Sequence, residues 1–315
     1  MTHDLTQAPP HPSVVIFVHV FYPDVWSEMA RVIAAHVATP FRLVITTPLD
    51  PSEIVPLASP FLISQVTRTS ENRGRDILPF LLALEAEEPF EIGLKLHTKR
   101  SPHRADGHLW RQSILASLLP PPPGVDEIIS ALRDTPKLGL LAPEGLLLPL
   151  RDRLNDNRRQ AERLAAEICG GHGRAVLKQG WFAAGSMFWF RRGALQDLSA
   201  SRLIGEFPPE RGQLDSTGAH ALERLFVIAA EHRGFVALPA DALAQASSVK
   251  TKEDAHRIAA ERPPSEHSWL PSRPLLIAQR YVPFLAWTYR RIPPRLQQGL
   301  RRILPSASKR PPRSS

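Results

Sequence analysis

Lys95, His97 and Lys99 occupy alternate positions in the apolar run GLKLHTKRS at 93–101. In a strand this spacing puts all three on one face, with Leu94, Leu96 and Thr98 on the other. Three potential cations on one face are costly inside a core unless an anion answers them. A ligand phosphate would do so; a solvated edge strand is the alternative. A second segment, SENRGRDILPF at 70–80, sets Gly74 between Arg73 and Arg75 where a strand gives way to a helix. Glycine allows a ligand or a tight turn to come close there. A helix start flanked by two guanidinium groups suits a diphosphate. Asp76 is placed to cap the helix beginning at Ile77, and an ordinary capped turn with solvated arginines would also explain the segment.

Two later segments add candidates. WFAAGSMFWFRR at 181–192 reads as core, apart from Ala184-Gly185-Ser186, where small residues would let a sugar or nucleotide lie against the backbone. ERGQLDSTGAHALERLF at 210–226 has Asp215 just before a helix, followed by His220, Glu223 and Arg224. Asp215 would serve as an N-cap, or as the general base that deprotonates an attacking hydroxyl. Glu223 and Arg224 also read as a surface pair of little energetic weight.

The elements that must position these groups alternate. Strands are expected at 13–21, 41–47, 61–69 and 90–98, separated by a helix after Pro23, a short helix at 51–57 and a helix at 77–87. Further on come a helix at 109–119, a connector at Pro120 to Pro123, a helix at 125–133, a strand at 138–145, a polar helix at 152–168, the strand-like 180–195, one helix at 216–232 and a last strand from Phe235. This order predicts an α/β fold, a Rossmann-like and mostly parallel sheet flanked by helices, with a basic C-terminal appendage. The boundaries are a flexible tail at 1–12, a domain at 13–245 (a nucleotide half at about 13–119 and an acceptor half at about 125–245), and a linker and tail at 246–315. Ligands of such sheets bind at the carboxyl ends of the strands, which selects the segments after Thr69 and Leu96.

Composition narrows the function classes. The single cysteine, Cys169, excludes an internal disulfide and a multi-cysteine zinc site. His97, His103 and His108 match no standard metal spacing. The formal net charge is +8, but no acidic residue follows Glu266, while ten lysines and arginines do. The basicity therefore belongs to the tail, which argues against a nucleic-acid stripe on a folded face. The polar, proline-rich start does not read as a signal peptide, so a cytoplasmic setting is expected.

ENRGRDILPF, KLHTKRS, AGSMFWFRRGAL and GQLDSTGAHALERLF, in this order, resemble the recurring segments of the rhamnan synthesis protein F family. The opening HVFYPDVWSE at 19–28 and RLNDNRRQAERLA at 153–165, with Asn157 as its polar landmark, are similar to family segments too. Ser216-Thr217-Gly218-Ala219 departs from that family's usual Gly-Thr-Leu-Ala. The resemblance implies a GT-A-like glycosyltransferase of cell-surface rhamnose-containing polysaccharide or O-antigen synthesis, using a dTDP-rhamnose-like donor and a lipid-linked glycan acceptor. Arg73, Gly74, Arg75, Asp76, Lys95, His97, Lys99 and Arg100 would then surround the donor diphosphate. Gly185, Ser186, Arg224 and Asn157 would border sugar or acceptor, and Asp215, with His220 and Glu223 nearby, would be catalytic. In the GT-A class a carboxylate motif after the fourth strand usually holds a divalent metal. Here Lys95 to Arg100 stand at the comparable place, so protein cations are expected to replace the metal. A non-catalytic glycan- or nucleotide-binding partner is the competing reading.

The tail at 273–304 alternates apolar clusters with arginines, and Pro283, Pro293 and Pro294 break any long helix. This pattern suits short segments lying on an anionic membrane, at about 1 kcal/mol per basic residue. The full chain should sediment with phosphatidylglycerol-containing vesicles, release with salt, and lose binding when it ends at Glu266. Equal sedimentation of the two lengths would remove the tail from membrane binding.

Overall fold

The computed structural model describes residues 14–98, 100, 107–151, 153–154, 157–171, 173–209 and 217–265. Lys99, Asp215, the N-terminal tail and the basic C-terminal tail lie outside the described residues. Seven strands form one sheet: β1 (Val14–His19), β2 (Phe41–Thr47), β3 (Leu62–Thr69), β4 (Ile92–His97), β5 (Leu138–Ala142), β8 (Phe188–Arg191) and β9 (Val236–Pro239). A small hairpin pairs β6 (Leu147–Pro149) with β7 (Trp181–Ala183). The sheet order is β3-β2-β1-β4-β8-β5-β9, and every pairing is parallel except those of β8 with β4 and β5. This is the Rossmann-like, mostly parallel α/β sheet expected from the alternation of elements.

β4 lies at the centre, and all six of its residues are buried. That position explains its continuous apolar character and makes the two polar exceptions, Lys95 and His97, conspicuous. Parallel register sets Lys95 beside Phe17 and His97 beside His19. Antiparallel register on the other side sets Gly93 against Phe190 and Lys95 against Phe188. A Cβ at Gly93 would come within 2.3 Å of the Phe190 ring, so the absent side chain is what lets that ring lie over the strand.

The helices are α1 (Pro23–His36), α2 (Ile77–Ala86), α3 (Gly107–Leu118), α4 (Gly124–Asp134), α5 (Arg158–Ile168), α6 (Gly173–Gln179), α7 (Ala200–Leu203), α8 (Gly218–Glu223), α9 (Phe226–His232) and α10 (Lys252–Ala260). On the sheet face that carries Lys95, α2 supplies Phe80 and α9 supplies Phe226. Their rings meet Phe17, Phe188 and Phe190 at centroid distances of 5.0–5.6 Å and each other at 6.0 Å. Trp189 alternates with these phenylalanines onto the opposite face, where its indole N–H donates to the Leu118 carbonyl of α3 at 2.7 Å. At the amino edge, buried Arg42 on β2 holds Glu87 and Glu88 at 3.1 and 3.0 Å, tying the end of α2 to the sheet.

Several boundaries differ from the sequence reading. The helix expected at 216–232 is two, because Arg224 and Leu225 make i→i−3 bonds to Ala221 and Leu222 that tighten the turn. The Arg224 guanidinium also takes the His220 carbonyl at 2.5 Å. The polar helix starts at Arg158 rather than 152. Strands from before Pro120 (β3-β2-β1-β4) and from after Pro123 (β8-β5-β9) lie side by side in one common sheet. The packed body also continues past 245. A capping box at Thr251 starts α10, His256 stacks on Trp181 at 5.2 Å, and the Ser265 N–H donates to the Gly145 carbonyl.

Candidate functional site at the carboxyl ends of β1 and β4

The strand ends gather His19 (β1), Thr46 (β2), and Lys95, His97 and the adjoining Thr98 (β4), all buried. Thr98 ties this edge together. Its backbone N–H donates to the His19 carbonyl at 3.0 Å, and its hydroxyl accepts from the N–H groups of Phe21 and Tyr22 at 2.8 and 3.0 Å. The loop between β1 and α1 is thereby fixed by the end of β4.

Lys95 is 1% exposed, and its ammonium donates to Asp76 Oδ2 at 2.6 Å, Ser186 O at 2.8 Å and Ser186 Oγ at 2.9 Å. The anion that answers this lysine in the structure is therefore a carboxylate of the protein. Asp76 accordingly makes no side-chain capping bond at the start of α2. The expectation that it caps that helix is corrected: the carboxylate turns inward to neutralise a buried ammonium, and the Ile77 and Leu78 N–H groups donate to the Gly74 carbonyl instead.

Two turns approach this pair. In the first, Gly74 and Arg75 have φ of 67° and 54°. In the second, Gly185 and Ser186 have φ of 89° and 57°. Left-handed backbone at two non-glycine residues costs on the order of 1–2 kcal/mol each, so surrounding contacts must hold it. A Cβ at Gly74 would meet Leu78 Cβ at 2.6 Å, and one at Gly185 would meet the Trp110 indole at 3.0 Å. The second turn is also held by its peptide groups. The Gly185 carbonyl pairs with His97 Nε2 at 2.8 Å, and its N–H donates to Glu223 Oε1 at 3.1 Å.

The remaining candidates have separate places. Arg73 turns away from the helix start, donating to the carbonyls of Phe207 and Ile204, and its backbone bridges Pro209. Arg75 is half-buried on the left-handed turn. Arg100 pairs with Asp24 and lies 4.5 Å over the Tyr22 ring, on the rim beyond β4. Arg224 donates to the Arg153 carbonyl at 3.0 Å, and His220 Nδ1 lies 2.8 Å from the Thr217 hydroxyl. Asn157 is fully buried at the start of α5. Asp76, Lys95, His97, Gly185, Ser186 and Glu223 thus form one connected cluster, whereas Arg73, Arg100 and Asn157 have other immediate partners or places.

His19 and Thr46 were not singled out as site residues by the sequence. His19 Nδ1 lies 3.0 Å from Thr46 Oγ1. Burial is the main cause of its lowered pKa, brought from 6.5 down to about 4; His97 and Lys95 add to the lowering and Asp76 opposes it. A histidine closing an otherwise apolar strand was the available signal, and it repeats the pattern of His97 at the end of β4. The described carboxylates here are committed to Lys95 and to the Gly185 N–H. Among the described residues no group of three or more His, Cys, Asp or Glu could hold a metal ion. They do not fit the divalent cation that the GT-A class implies, and no step is assigned to one.

A Rossmann-like sheet with a buried polar cluster at its carboxyl edge defines the class of protein. The chain belongs to the rhamnan synthesis protein F family, whose model matches residues 1–235. It is 40% identical over 227 residues to the uncharacterized protein WxcX of Xanthomonas campestris pv. campestris strain B100, and equally to WxcX of a second strain. The match covers 71% of this chain but 32% of each relative, so the chain spans about a third of the length of the curated relatives it matches. Family membership implicates the chain in rhamnan or polysaccharide synthesis. No helix among the described residues is long and apolar enough to cross a membrane.

The shifted histidine makes a pH prediction. Below its ordinary value of 6.5 the unfolded chain binds a proton at His19 that the folded chain refuses until about pH 4. Stability should therefore fall as pH drops from about 6.5 to about 4, by up to roughly 3 kcal/mol from this group, and no further below that window. Urea unfolding across pH should show a shallower slope for His19→Asn than for the natural protein. Parallel slopes would mean that His19 titrates alike in both states.

Proposed function

We propose that this chain is a GT-A-like glycosyltransferase module that moves a deoxysugar, rhamnose by the family's association, from a dTDP-rhamnose-like donor to a lipid-linked cell-surface glycan. The observation that carries the reading is the meeting of two left-handed turns at the carboxyl ends of β1 and β4. This is where open α/β sheets bind nucleotides, and Arg75 and Gly185 on these turns are partly exposed. Arg75 and Lys99 are the cations we assign to the donor diphosphate. Lys95 and His97 contribute from beneath, through the turns they hold. His220 and Arg224 order the start and end of α8, Asn157 borders the acceptor side, and the basic tail brings the module to the inner face of an anionic membrane.

Asp215 is the base we assign to the acceptor hydroxyl. Its segment leaves the described chain at Pro209, which bridges Arg73, and returns at Thr217, which is buried beside His220. One observation favours a non-catalytic binding partner instead: the two described carboxylates, Asp76 and Glu223, already accept internal donors.

Calorimetric titration with a panel of nucleoside diphosphate sugars, with and without chelator, followed by assays of donor hydrolysis and transfer, separates the readings. The transferase reading expects one donor to bind with little effect of chelator and to be turned over. Asp215→Asn should keep donor affinity and lower turnover by roughly 10²–10⁴-fold. Binding without any turnover would favour the non-catalytic partner, and binding of no donor would end the donor-site reading. Normal turnover in Asp215→Asn would move the base elsewhere, with Glu223 next in line.

A further inference from the structure

Lys95 was the first candidate for direct diphosphate contact, yet its surroundings describe a different task. An ammonium has three hydrogens and no lone pair, and three acceptors stand within 2.6–2.9 Å of this one. One belongs to Asp76, the residue that follows the left-handed Gly74-Arg75 pair. Two belong to Ser186, itself left-handed and preceded by left-handed Gly185. The chain separation is 19 residues to Asp76 and 91 to Ser186, so the two turns come from distant parts of the sequence. The ammonium also lies 5.3 and 5.8 Å from the ring centroids of Phe80 and Phe226. Its stem rises from the central strand, all six residues of which are buried.

We infer that Lys95 is a positioning residue: one buried ammonium sets the spacing of the Gly74–Asp76 turn and the Gly185–Ser186 turn, so that a nucleoside-diphosphate site is assembled from inside the core before any ligand arrives. The inference rests on the proposed function only in taking these turns as borders of the donor site. The physical case is that left-handed serine and arginine need outside support, and a charge held by two turns transmits the placement of each to the other. Asp76 neutralises the ammonium that grips Ser186. Removing the carboxylate charge should therefore loosen the Ser186 turn, although Asp76 lies in the other one. Glu223 is the contrasting case, because it holds the Gly185 N–H and acts on the second turn alone.

The test is hydrogen exchange, followed by mass spectrometry of the full-length chain, paired with calorimetric binding of dTDP as the probe. Lys95→Met should speed exchange at least tenfold in peptides covering both 73–78 and 183–188, with β1 and β2 unchanged. Asp76→Asn, a milder change that remains informative if Lys95→Met fails to fold, should speed exchange at 183–188 as well as at 73–78. Glu223→Gln should affect 183–188 and spare 73–78. Acceleration confined to 73–78 in Asp76→Asn would overturn the inference, as would uniform acceleration across the sheet in both Lys95→Met and Asp76→Asn. The dTDP arm keeps the two readings apart. If the natural chain binds dTDP, affinity should fall at least tenfold in Asp76→Asn, and unaltered affinity would overturn the positioning role. If the natural chain binds no dTDP, the donor reading fails, while the exchange pattern alone decides whether Lys95 couples the turns.

Discussion

A lysine ammonium enclosed by phenylalanine rings is the constraint on which the carboxyl edge of this sheet depends. Removing such a charge from water costs several kcal/mol even after relaxation. Lys95 recovers that cost through a carboxylate, a carbonyl, a hydroxyl and two ring faces. The partners come from three separate places in the chain. Asp76 comes from the start of α2, Ser186 from the turn between β7 and β8, and the rings from α2 and α9. The antiparallel entry of β8 beside β4 follows the same requirement, since the register that pairs Lys95 with Phe188 brings the preceding turn over the ammonium.

Other interactions extend this arrangement outward. His97 and Glu223 hold opposite sides of the Gly185 peptide pair, and Arg73 binds the 204–207 stretch to the first turn. Thr98 fastens the loop after β1. The result is a buried polar layer beneath the strand ends, where side chains act on backbone rather than projecting into open space. Under the proposed function, the groups that face a ligand would be carried on turns whose geometry is fixed from below.

Much of this fold could be read from apolar patterning, because β1, β2, β4 and β5 are buried on both faces and announce themselves as largely apolar runs. The alternation of Lys95 and His97 correctly placed both on one face of a central strand, and glycine marked both turns. What local pattern could not supply was the partner. Asp76 looked like a helix cap because capping is a short-range habit, whereas its actual contact depends on which strand lies beside the helix start. The break at Arg224 was invisible for a similar reason, since it depends on carbonyls at His220 and at distant Arg153. Helix α10 was missed because its packing face is made of alanines, Ala255 and Ala259, which give a weak periodic signal. His19 lay in plain view at the end of β1, but only the parallel register sets it beside His97.

The central claim, that the buried pair of Lys95 and Asp76 is a coupled unit, is tested most directly by a double-mutant cycle in urea with Lys95→Met, Asp76→Leu and the combined variant. Each single change should cost about 3–5 kcal/mol, because it strands the opposite charge in the core. The double variant should cost at least about 2 kcal/mol less than the sum of the singles, since neither charge is then left behind. Additivity within about 0.5 kcal/mol would contradict the account.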